Sequence, residues 1–222
     1  MSLNLLMLGP PGAGKGTQAE RFAKQRGIPK ISTGDILREA VANKTEVGLR
    51  AKAIMDRGEL VHDEVMIGIV QERLDRPDAA QGFILDGFPR TVAQAAALDG
   101  IMSSRDPLIV VDIVVPEEEL VRRLGTRTIC RLCGETGPVG CEVGGACAKC
   151  GGRLVQRTDD NKAVVLERLK VYHRASEPLV EYYKVRPTFR SIDGAQDPDR
   201  VAADLAAAIA AASNGAGAGS VR

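Results

Sequence analysis

The chain has 222 residues, which against roughly 150 residues per domain predicts one large domain with room for a smaller insertion. Hydrophobic residues make up 44% and charged residues 27%, so the chain can bury a core and is neither disordered nor fibrous as a whole. The 30 basic and 29 acidic residues leave a net charge of +1, which excludes a bulk electrostatic attraction to nucleic acid or to an anionic membrane.

The N-terminal apolar run is short, has no basic residue ahead of it and leads directly into a glycine-rich turn, so it does not resemble a signal peptide. No other stretch approaches the ~20 consecutive apolar residues of a membrane helix. The pattern predicts a cytoplasmic protein without membrane contacts. Five cysteines in such a protein favour metal or redox chemistry over a disulfide framework.

Short apolar runs alternate with helical stretches along most of the chain. Leu3–Leu8 predicts a strand, and a turn at residues 9–12 separates it from a helix over residues 15–24. Further strands are predicted at residues 83–85, 108–115 and 189–192. Strands that alternate with helices predict an α/β fold with a doubly wound parallel sheet.

Two segments interrupt this alternation. Residues 32–61 predict a helical insert, in which Ser32 caps one helix and a second helix covers residues 48–57 before Gly58 ends it. Between about residues 125 and 152, glycine and cysteine are dense and the periodicity disappears, which predicts a small separate module. Helical patterning returns over residues 160–183, and Pro198 is predicted to open an alanine-rich helix before a disordered tail at residues 213–222.

Residues 9–17 read GPPGAGKGT and match the phosphate-loop pattern, except that Gly16 takes the usual hydroxyl position and the hydroxyl follows at Thr17. Glycines let backbone N–H groups close around phosphate oxygens, the helix N-terminus adds a positive end, and Lys15 reaches the transferring phosphate. The alternative, a glycine-rich turn without a ligand, is disfavoured by the strand-loop-helix context. The loop predicts nucleoside triphosphate binding through six residues, Gly12, Ala13, Gly14, Lys15, Gly16 and Thr17.

Two C-x-x-C-G motifs, CRLCG at residues 130–134 and CAKCG at residues 147–151, have spacing close to that of a structural zinc site. They predict a shell of four thiolates, from Cys130, Cys133, Cys147 and Cys150. Four protein ligands leave no open position, so this zinc would hold the module's shape rather than activate water. Free thiols or a disulfide are the alternative, and Cys141 is interpreted as a bystander.

Three further segments carry a family resemblance: STGDILR at residues 32–38, GELV at residues 58–61 and GFILDGFPRT at residues 82–91. With them, the chain from Leu3 to about Ala212 resembles adenylate kinases, specifically the bacterial long-lid form with a zinc-binding lid. The resemblance implies a P-loop nucleoside monophosphate kinase fold and the reaction ATP + AMP ⇌ 2 ADP with Mg²⁺. It also implies a core of residues 1–31, 62–123 and 162–212, an AMP-binding insert at residues 32–61 and a lid at residues 124–161.

The resemblance further implies which residues contact AMP. The set is Thr33, Arg38, Glu59, Leu60, Val61, Gly87, Phe88, Pro89, Arg90, Gln94, Arg157 and Arg168. An amide side chain can donate and accept at once, so Gln94 suits the exposed edge of adenine. Arg38 alone would more often be a solvated helix charge, and its assignment depends on its neighbours.

Catalysis is expected from cations, because planar guanidiniums match the charge that develops on phosphoryl oxygens. The resemblance assigns this role to Lys15, Arg90, Arg123, Arg157 and Arg168. Asp86 is expected to place Mg²⁺ through water, or else to be an ordinary turn residue. A general base is unnecessary, because an acceptor phosphate with a second pKa near 6 is largely ionised at neutral pH. His62 and His173 are therefore given surface or packing roles.

One departure from the resemblance concerns the donor base. Gly137 and Pro138 stand where metal-bearing relatives usually have an aromatic residue and a histidine. Donor contacts are therefore expected from Arg127, from Thr136 and Gly137 through their backbone, and from Gln196 in the turn at residues 194–196. Without the ring, we expect weak discrimination among donor triphosphates.

Alternatives remain open at this stage. Within the same class, the chain could phosphorylate another nucleoside monophosphate or act as a GTP:AMP phosphotransferase. From a different class, it could be a zinc-ribbon nucleic-acid-binding protein with a degenerate phosphate loop, although the low net charge and sparse aromatic residues oppose this. ATP, AMP and ADP are the expected ligands, no nucleic-acid partner is expected, and a monomer is expected because mobile inserts need room to move.

Overall fold

The computed structural model describes residues 2–138 and 140–217. Its main sheet contains five parallel strands in the order β2-β3-β1-β4-β7, and β5 and β6 form a separate antiparallel ribbon. The strands are β1 (Leu3–Leu8), β2 (Lys30–Ser32), β3 (Gly82–Asp86), β4 (Leu108–Val114), β5 (Thr128–Cys130), β6 (Leu154–Gln156) and β7 (Phe189–Asp193). The predicted parallel α/β sheet is confirmed, with β2 added.

Helices cover both faces of the main sheet. They are α1 (Lys15–Arg26), α2 (Thr33–Ala42), α3 (Glu46–Asp56), α4 (Asp63–Leu74), α5 (Val92–Met102), α6 (Glu117–Gly125), α7 (Lys162–Val171), α8 (Pro178–Lys184) and α9 (Pro198–Gly217). Strand β1 shows how the two cores are divided, because its side chains alternate. Leu5 and Met7 join one buried cluster with α1 and α9, whereas Leu6 and Leu8 join another with α4 and α5.

Strand β1 is the point at which the chain changes direction across the sheet. The chain passes from β1 to β2 and β3 on one side and later to β4 and β7 on the other. In parallel α/β sheets a crevice opens at such a point, beyond the carboxyl ends of the strands. The phosphate loop follows β1 and therefore lies at this crevice.

The predicted helical insert is built by α2 and α3, which pack against each other. Ser32 Oγ accepts a hydrogen bond from the Asp35 N–H at 3.3 Å, so the predicted cap is present. Helix α3 begins two residues earlier than the sequence predicted, at Glu46. Thr45 Oγ1 caps it by accepting from the Gly48 N–H at 3.1 Å, which fixes the start of the helix.

The C-terminal third departs from the prediction in two ways. The helical stretch over residues 160–183 is divided by a π-helical turn, Tyr172–Ser176. Helix α9 continues through Gly217, so the first five residues of the predicted disordered tail are helical and that prediction is wrong for them. Alanine has the highest helix propensity, and the run before Ser213 is rich in it. Residues 218–222 lie outside the described residues.

No helix within residues 2–138 and 140–217 is both long and apolar enough to span a bilayer.

His173 links the π-helical turn to the start of α6. Its Nδ1 lies 3.1 Å from Glu177 Oε2 and its Nε2 lies 3.4 Å from Glu117 Oε2, and the side chain is about half exposed. The hydrogen bond with Glu177 raises the pKa of His173 above its ordinary value. The charged imidazolium is therefore favoured in the folded state, in keeping with the surface role expected from the sequence.

We predict that His173→Gln destabilises the protein more at pH 5.5 than at pH 8.5. A raised folded-state pKa contributes stability that is fully present below the unfolded pKa of about 6.5 and is lost as the pH rises through the folded value. Because the pair is exposed, the difference in unfolding free energy should reach only ~0.5 kcal/mol. Urea unfolding of both proteins at the two pH values measures it, and an equal loss at both would contradict the prediction.

Candidate functional site

The phosphate loop runs from the end of β1 to the start of α1. Its glycines Gly9, Gly12 and Gly14 all have positive φ, at 131°, 88° and 93°, which other residues rarely adopt. Helix α1 begins at Lys15 directly after Gly14. The first N–H groups of this helix therefore face the crevice, where they can bind an anion.

Lys15 lies across the loop. Its Nζ donates to the carbonyl oxygens of Gly9 at 2.6 Å and Pro10 at 2.8 Å. Burial lowers the pKa of Lys15 to about 8, and the nearby Asp86 offsets part of this effect. The ammonium is thus poorly solvated, and an arriving phosphate would favour its charged form.

Asp86 ends β3 beside the phosphate loop. It pairs in register with Met7 of β1, and a Cβ placed on Gly16 would lie 3.3 Å from Asp86 Oδ2. The carboxylate therefore reaches the loop at the position where the usual pattern has a hydroxyl. An oxygen ligand here fits the preferences of Mg²⁺.

A group of arginines and acidic residues lies next to the loop. Its members come from α2, the segment after β3, the base of the lid and α7, and they are Arg38, Arg90, Arg127, Arg157 and Arg168, with Asp159 and Asp160. Arg127 Nε donates to Asp160 Oδ2 at 2.7 Å, and Arg168 Nη1 donates to Asp160 Oδ1 at 2.9 Å. Asp160 is fully buried between these two guanidiniums.

The arginines of this group perturb one another. Burial and then the Arg168 charge lower the pKa of Arg90 to about 10, and burial followed by Arg127 lowers that of Arg157 to about 10. Nε of Arg157 is buried and has no hydrogen-bond partner among the described residues. The arrangement is short of negative charge, as expected of a site for phosphates.

A pocket of about 600 Å³, including its mouth, opens beside this group. Nine of the predicted AMP-contacting residues line it: Thr33, Arg38, Glu59, Leu60, Val61, Gly87, Arg90, Gln94 and Arg168. Leu37, Met55 and Met66 add apolar surface that suits a base, and the sequence reasoning missed them. Nothing in a single sequence separates these three from ordinary core residues.

Three predicted contacts do not line the pocket. Phe88 is buried in the core with 1% of its surface exposed, because its ring packs with residues of the sheet and helices. Pro89 follows it, and Arg157 lies beside Arg127 and Asp160 instead. Any contact from residues 88 and 89 to a nucleotide remains a prediction about their backbone.

The polar groups of the pocket are fixed by neighbours. Thr33 Oγ1 donates to the Gly87 carbonyl at 2.8 Å, and Arg90 Nε donates to the same oxygen at 2.8 Å. Gln94 Nε2 donates to Asp63 Oδ1 at 2.7 Å, and its Oε1 accepts from the Arg90 N–H at 2.7 Å. The sequence reasoning did not single out Asp63, Asp159 or Asp160. For these three residues, the sequence offered one signal, the adjacent acidic residues Asp159 and Asp160 shortly after Arg157.

Arg123 lies in α6, and its side chain contacts the turn after β7. Its Nη1 donates to the Gly194 carbonyl at 3.0 Å and its Nε to Glu119 Oε1 at 2.7 Å. Gln196, also predicted to contact the donor, instead donates to Asp204 Oδ2 at 2.9 Å. Arg123 therefore faces the predicted donor-base turn, and these hydrogen bonds do not join it to the arginines beside the pocket.

The donor loop of the lid is tightly packed at Gly137. Its N–H donates to the Thr128 carbonyl at 2.9 Å, and a Cβ there would lie 2.3 Å from Thr128 Oγ1. This close approach explains why the chain has glycine where the resemblance leads one to expect an aromatic residue. Thr136 lies exposed beside it and pairs with Ile129 across an isolated bridge.

The four predicted cysteines meet at the end of the lid. Their Sγ atoms all lie within 4.8 Å of one another, with 3.4 Å between Cys130 and Cys150 and 3.8 Å between Cys133 and Cys147. A tetrahedral zinc with Zn–S bonds of ~2.3 Å requires sulfurs ~3.8 Å apart. A hydrogen bond from the Cys133 N–H lowers the pKa of Cys130 to about 6, which favours the thiolate. The cluster fits structural zinc.

The two halves of the cluster have the same backbone. Gly134 and Gly151 follow the second cysteine of each motif, and both have φ of 72°. Their N–H groups donate to the carbonyls of Cys130 at 3.0 Å and Cys147 at 2.8 Å. These turns aim both thiols of each motif at one point. Cys141 packs beside the cluster but is not one of its four members.

Comparison with known proteins agrees with the site. A family model described as adenylate kinase matches residues 7–188. An adenylate kinase of Archaeoglobus fulgidus is 51% identical over 93% of this chain and 98% of its own length. One of Rhizobium etli is 48% identical over 93% and 99%, and one of Magnetococcus marinus is 46% identical over 93% and 100%.

We predict that the protein contains one zinc per chain, held by the four clustered thiols. Cys133→Ser should lose the metal and lower the melting temperature by about 5 °C or more, since ~1 kcal/mol shifts it by ~2–4 °C in a chain of this size. Cys141→Ser is the matched control and should retain the zinc and the wild-type melting temperature. Elemental analysis and thermal unfolding measure the two quantities; equal zinc content in both variants would contradict the assignment.

Proposed function

The chain belongs to the adenylate kinase family, and we propose that its phosphate loop and adjoining pocket divide between them the reaction of that family. The chain catalyses reversible transfer of the terminal phosphoryl group of Mg-ATP to AMP, giving two ADP. This proposal rests on one observation: the phosphate loop and the pocket lie next to each other. The phosphate loop and the pocket that the predicted AMP contacts line share one group of arginines between them.

AMP is the proposed occupant of the pocket. Leu37, Met55 and Met66 offer apolar surface to the base, and Gln94 offers an amide. Arg38, Arg90 and Arg168 line the same pocket, and the charges of Arg90 and Arg168 act on Lys15 of the phosphate loop. The acceptor phosphate would bind these guanidiniums, with Arg157 completing the set from the base of the lid.

The chemical step needs positioning and charge rather than a general base. An oxygen of the AMP phosphate forms a bond to the γ-phosphorus while the bond to the bridging oxygen of ADP breaks. Lys15, Arg90, Arg123, Arg157 and Arg168 would stabilise the charge on the phosphoryl oxygens during this transfer. Mg²⁺ bound with ATP neutralises phosphate charge, and Asp86 would hold it through water.

ATP is the proposed occupant of the phosphate loop. Backbone N–H groups of residues 12–17 would bind its phosphates, and Arg127 would contact them from the lid. Thr136, Gly137 and Gln196 are proposed as further donor contacts.

The inserts are proposed to move on a fixed core. The core comprises residues 1–31, 62–123 and 162–212, the AMP-binding insert is 32–61 and the lid is 124–161. Closure of both inserts would exclude water, which otherwise could accept the phosphoryl group. Such movement needs free space around the inserts, so we propose a cytoplasmic monomer without nucleic-acid or membrane partners. Family membership does not favour the alternative acceptors, a GTP donor or a zinc-ribbon nucleic-acid-binding protein.

We predict that the purified protein converts Mg-ATP and AMP to ADP and prefers AMP over GMP, UMP and CMP. Arg90→Lys should lower kcat at least 100-fold, because a lysine cannot hold phosphoryl oxygens with two parallel hydrogen bonds. A coupled assay of ADP formation with the four monophosphates measures both effects.

Arg76→Lys is the matched control for that experiment. Arg76 lies after α4, is 60% exposed and pairs only with Glu72 among the ion pairs of the described residues. Its conservative replacement should leave kcat within twofold. Preference for another monophosphate would overturn the acceptor-site assignment, and equal losses in both variants would overturn the role of Arg90.

We predict that Mg-ATP binding weakens above pH 8. Lys15 has a pKa of about 8 without ligand, and bound phosphates would raise it, so binding takes up a proton once the pH exceeds 8. The dissociation constant, measured by calorimetry, should rise about tenfold or more between pH 7.5 and 9.5. In Lys15→Arg the guanidinium stays charged, so the same titration should be nearly flat; an identical slope in both proteins would exclude Lys15 as the cause.

A further inference from the structure

Asp63 is the first residue of α4 and lies behind the pocket rather than in its lining. Its Oδ1 accepts from Gln94 Nε2 at 2.7 Å, and its Oδ2 accepts from Thr91 Oγ1 at 2.8 Å. Gln94 does line the pocket, although only 1% of its surface is exposed. Any influence of Asp63 on a bound nucleotide must therefore pass through the Gln94 amide.

The surroundings of Gln94 permit only one orientation of its amide. An ionised carboxylate can only accept hydrogen bonds, so the group facing Asp63 must be the NH₂. A backbone N–H can only donate, so the group facing Arg90 must be the oxygen. A flipped amide would place two donors together at Arg90 and two acceptors together at Asp63. The orientation is thus fixed by chemistry at both ends.

A fixed amide leaves one N–H and one lone pair for the pocket. Adenine presents an acceptor at N1 and a donor at its 6-amino group, and a single amide can bond both at once. A 6-oxopurine presents the reverse pattern, a donor at N1 and an acceptor at O6. Binding it in the same position would require the flipped amide that Asp63 and Arg90 oppose.

We propose that Asp63 is a positioning residue that locks the Gln94 amide in the orientation for adenine and thereby excludes 6-oxopurine monophosphates from the acceptor pocket. This proposal rests on the assignment of Gln94 to the acceptor base in the proposed function. Asp63 does not touch the substrate. It contributes to the choice of base because its charge cannot be satisfied by an amide oxygen.

The test compares AMP with IMP as acceptors at saturating Mg-ATP. In Asp63→Ala the amide loses one of its two fixed partners, and the ratio of kcat/KM for AMP to kcat/KM for IMP should fall at least fivefold. Most of the change should lie in KM, with kcat for AMP within threefold. Asp63→Asn keeps the size and shape of the side chain, but its amide can turn to donate as well as accept, so the ratio should fall in this variant too.

The matched control is Glu64→Ala, which removes an exposed acid from the same first turn of α4 and should leave the ratio unchanged. A purely structural role for Asp63 would lower thermal stability and affect both acceptors equally, so an unchanged ratio in Asp63→Ala overturns the proposal. If Asp63→Ala does not fold, Asp63→Ser replaces it, because serine keeps a polar side chain but lacks the second oxygen needed to hold both Thr91 and Gln94. A wild-type protein inactive with AMP would instead overturn the proposed function.

Discussion

Repulsion between like charges is the constraint around which this structure is organised. Six cationic side chains approach one another beside the crevice, and five carboxylates offset only part of their charge: Lys15, Arg38, Arg90, Arg127, Arg157 and Arg168 against Asp35, Asp86, Asp112, Asp159 and Asp160. Such a group stays together because Lys15, Arg38, Arg90 and Arg168 project from or next to elements of the packed core, and Arg127 and Arg157 are joined to Arg168 through the lid base. The two apolar cores on either side of the sheet supply that support. In the proposed function, nucleotide phosphates would supply the missing negative charge.

Sequence reasoning predicted what depends on local chemistry. The phosphate loop, the strand before it and the paired cysteine motifs are short segments in which backbone conformation and ligand type are set by adjacent residues. The structure bears out the sheet and brings the four thiols together. Nine of the twelve residues proposed to contact AMP line one pocket, because the family motifs that carry them are local as well.

Interactions between distant segments could not be predicted in this way. Asp63, Asp159 and Asp160 gain their importance from partners that only the fold brings close, and an aspartate in a sequence looks the same whether it is solvated or buried between two arginines. Phe88 stands within a specific motif, yet its ring belongs to the core. The end of α9 was missed for a different reason, since alanine mixed with glycine and serine has the composition of a flexible tail as well as that of a helix.

Asp160 would make phosphate binding an exchange of one anion for another at the arginines. Its carboxylate already pairs with Arg127 and Arg168, so a phosphate that binds these guanidiniums would compete with an anion that is already in place. The free energy gained is then a difference between two similar interactions. Products leave more readily from such a site, because the arginines they release recover a partner at once. A built-in competitor of this kind moderates affinity and thereby favours turnover.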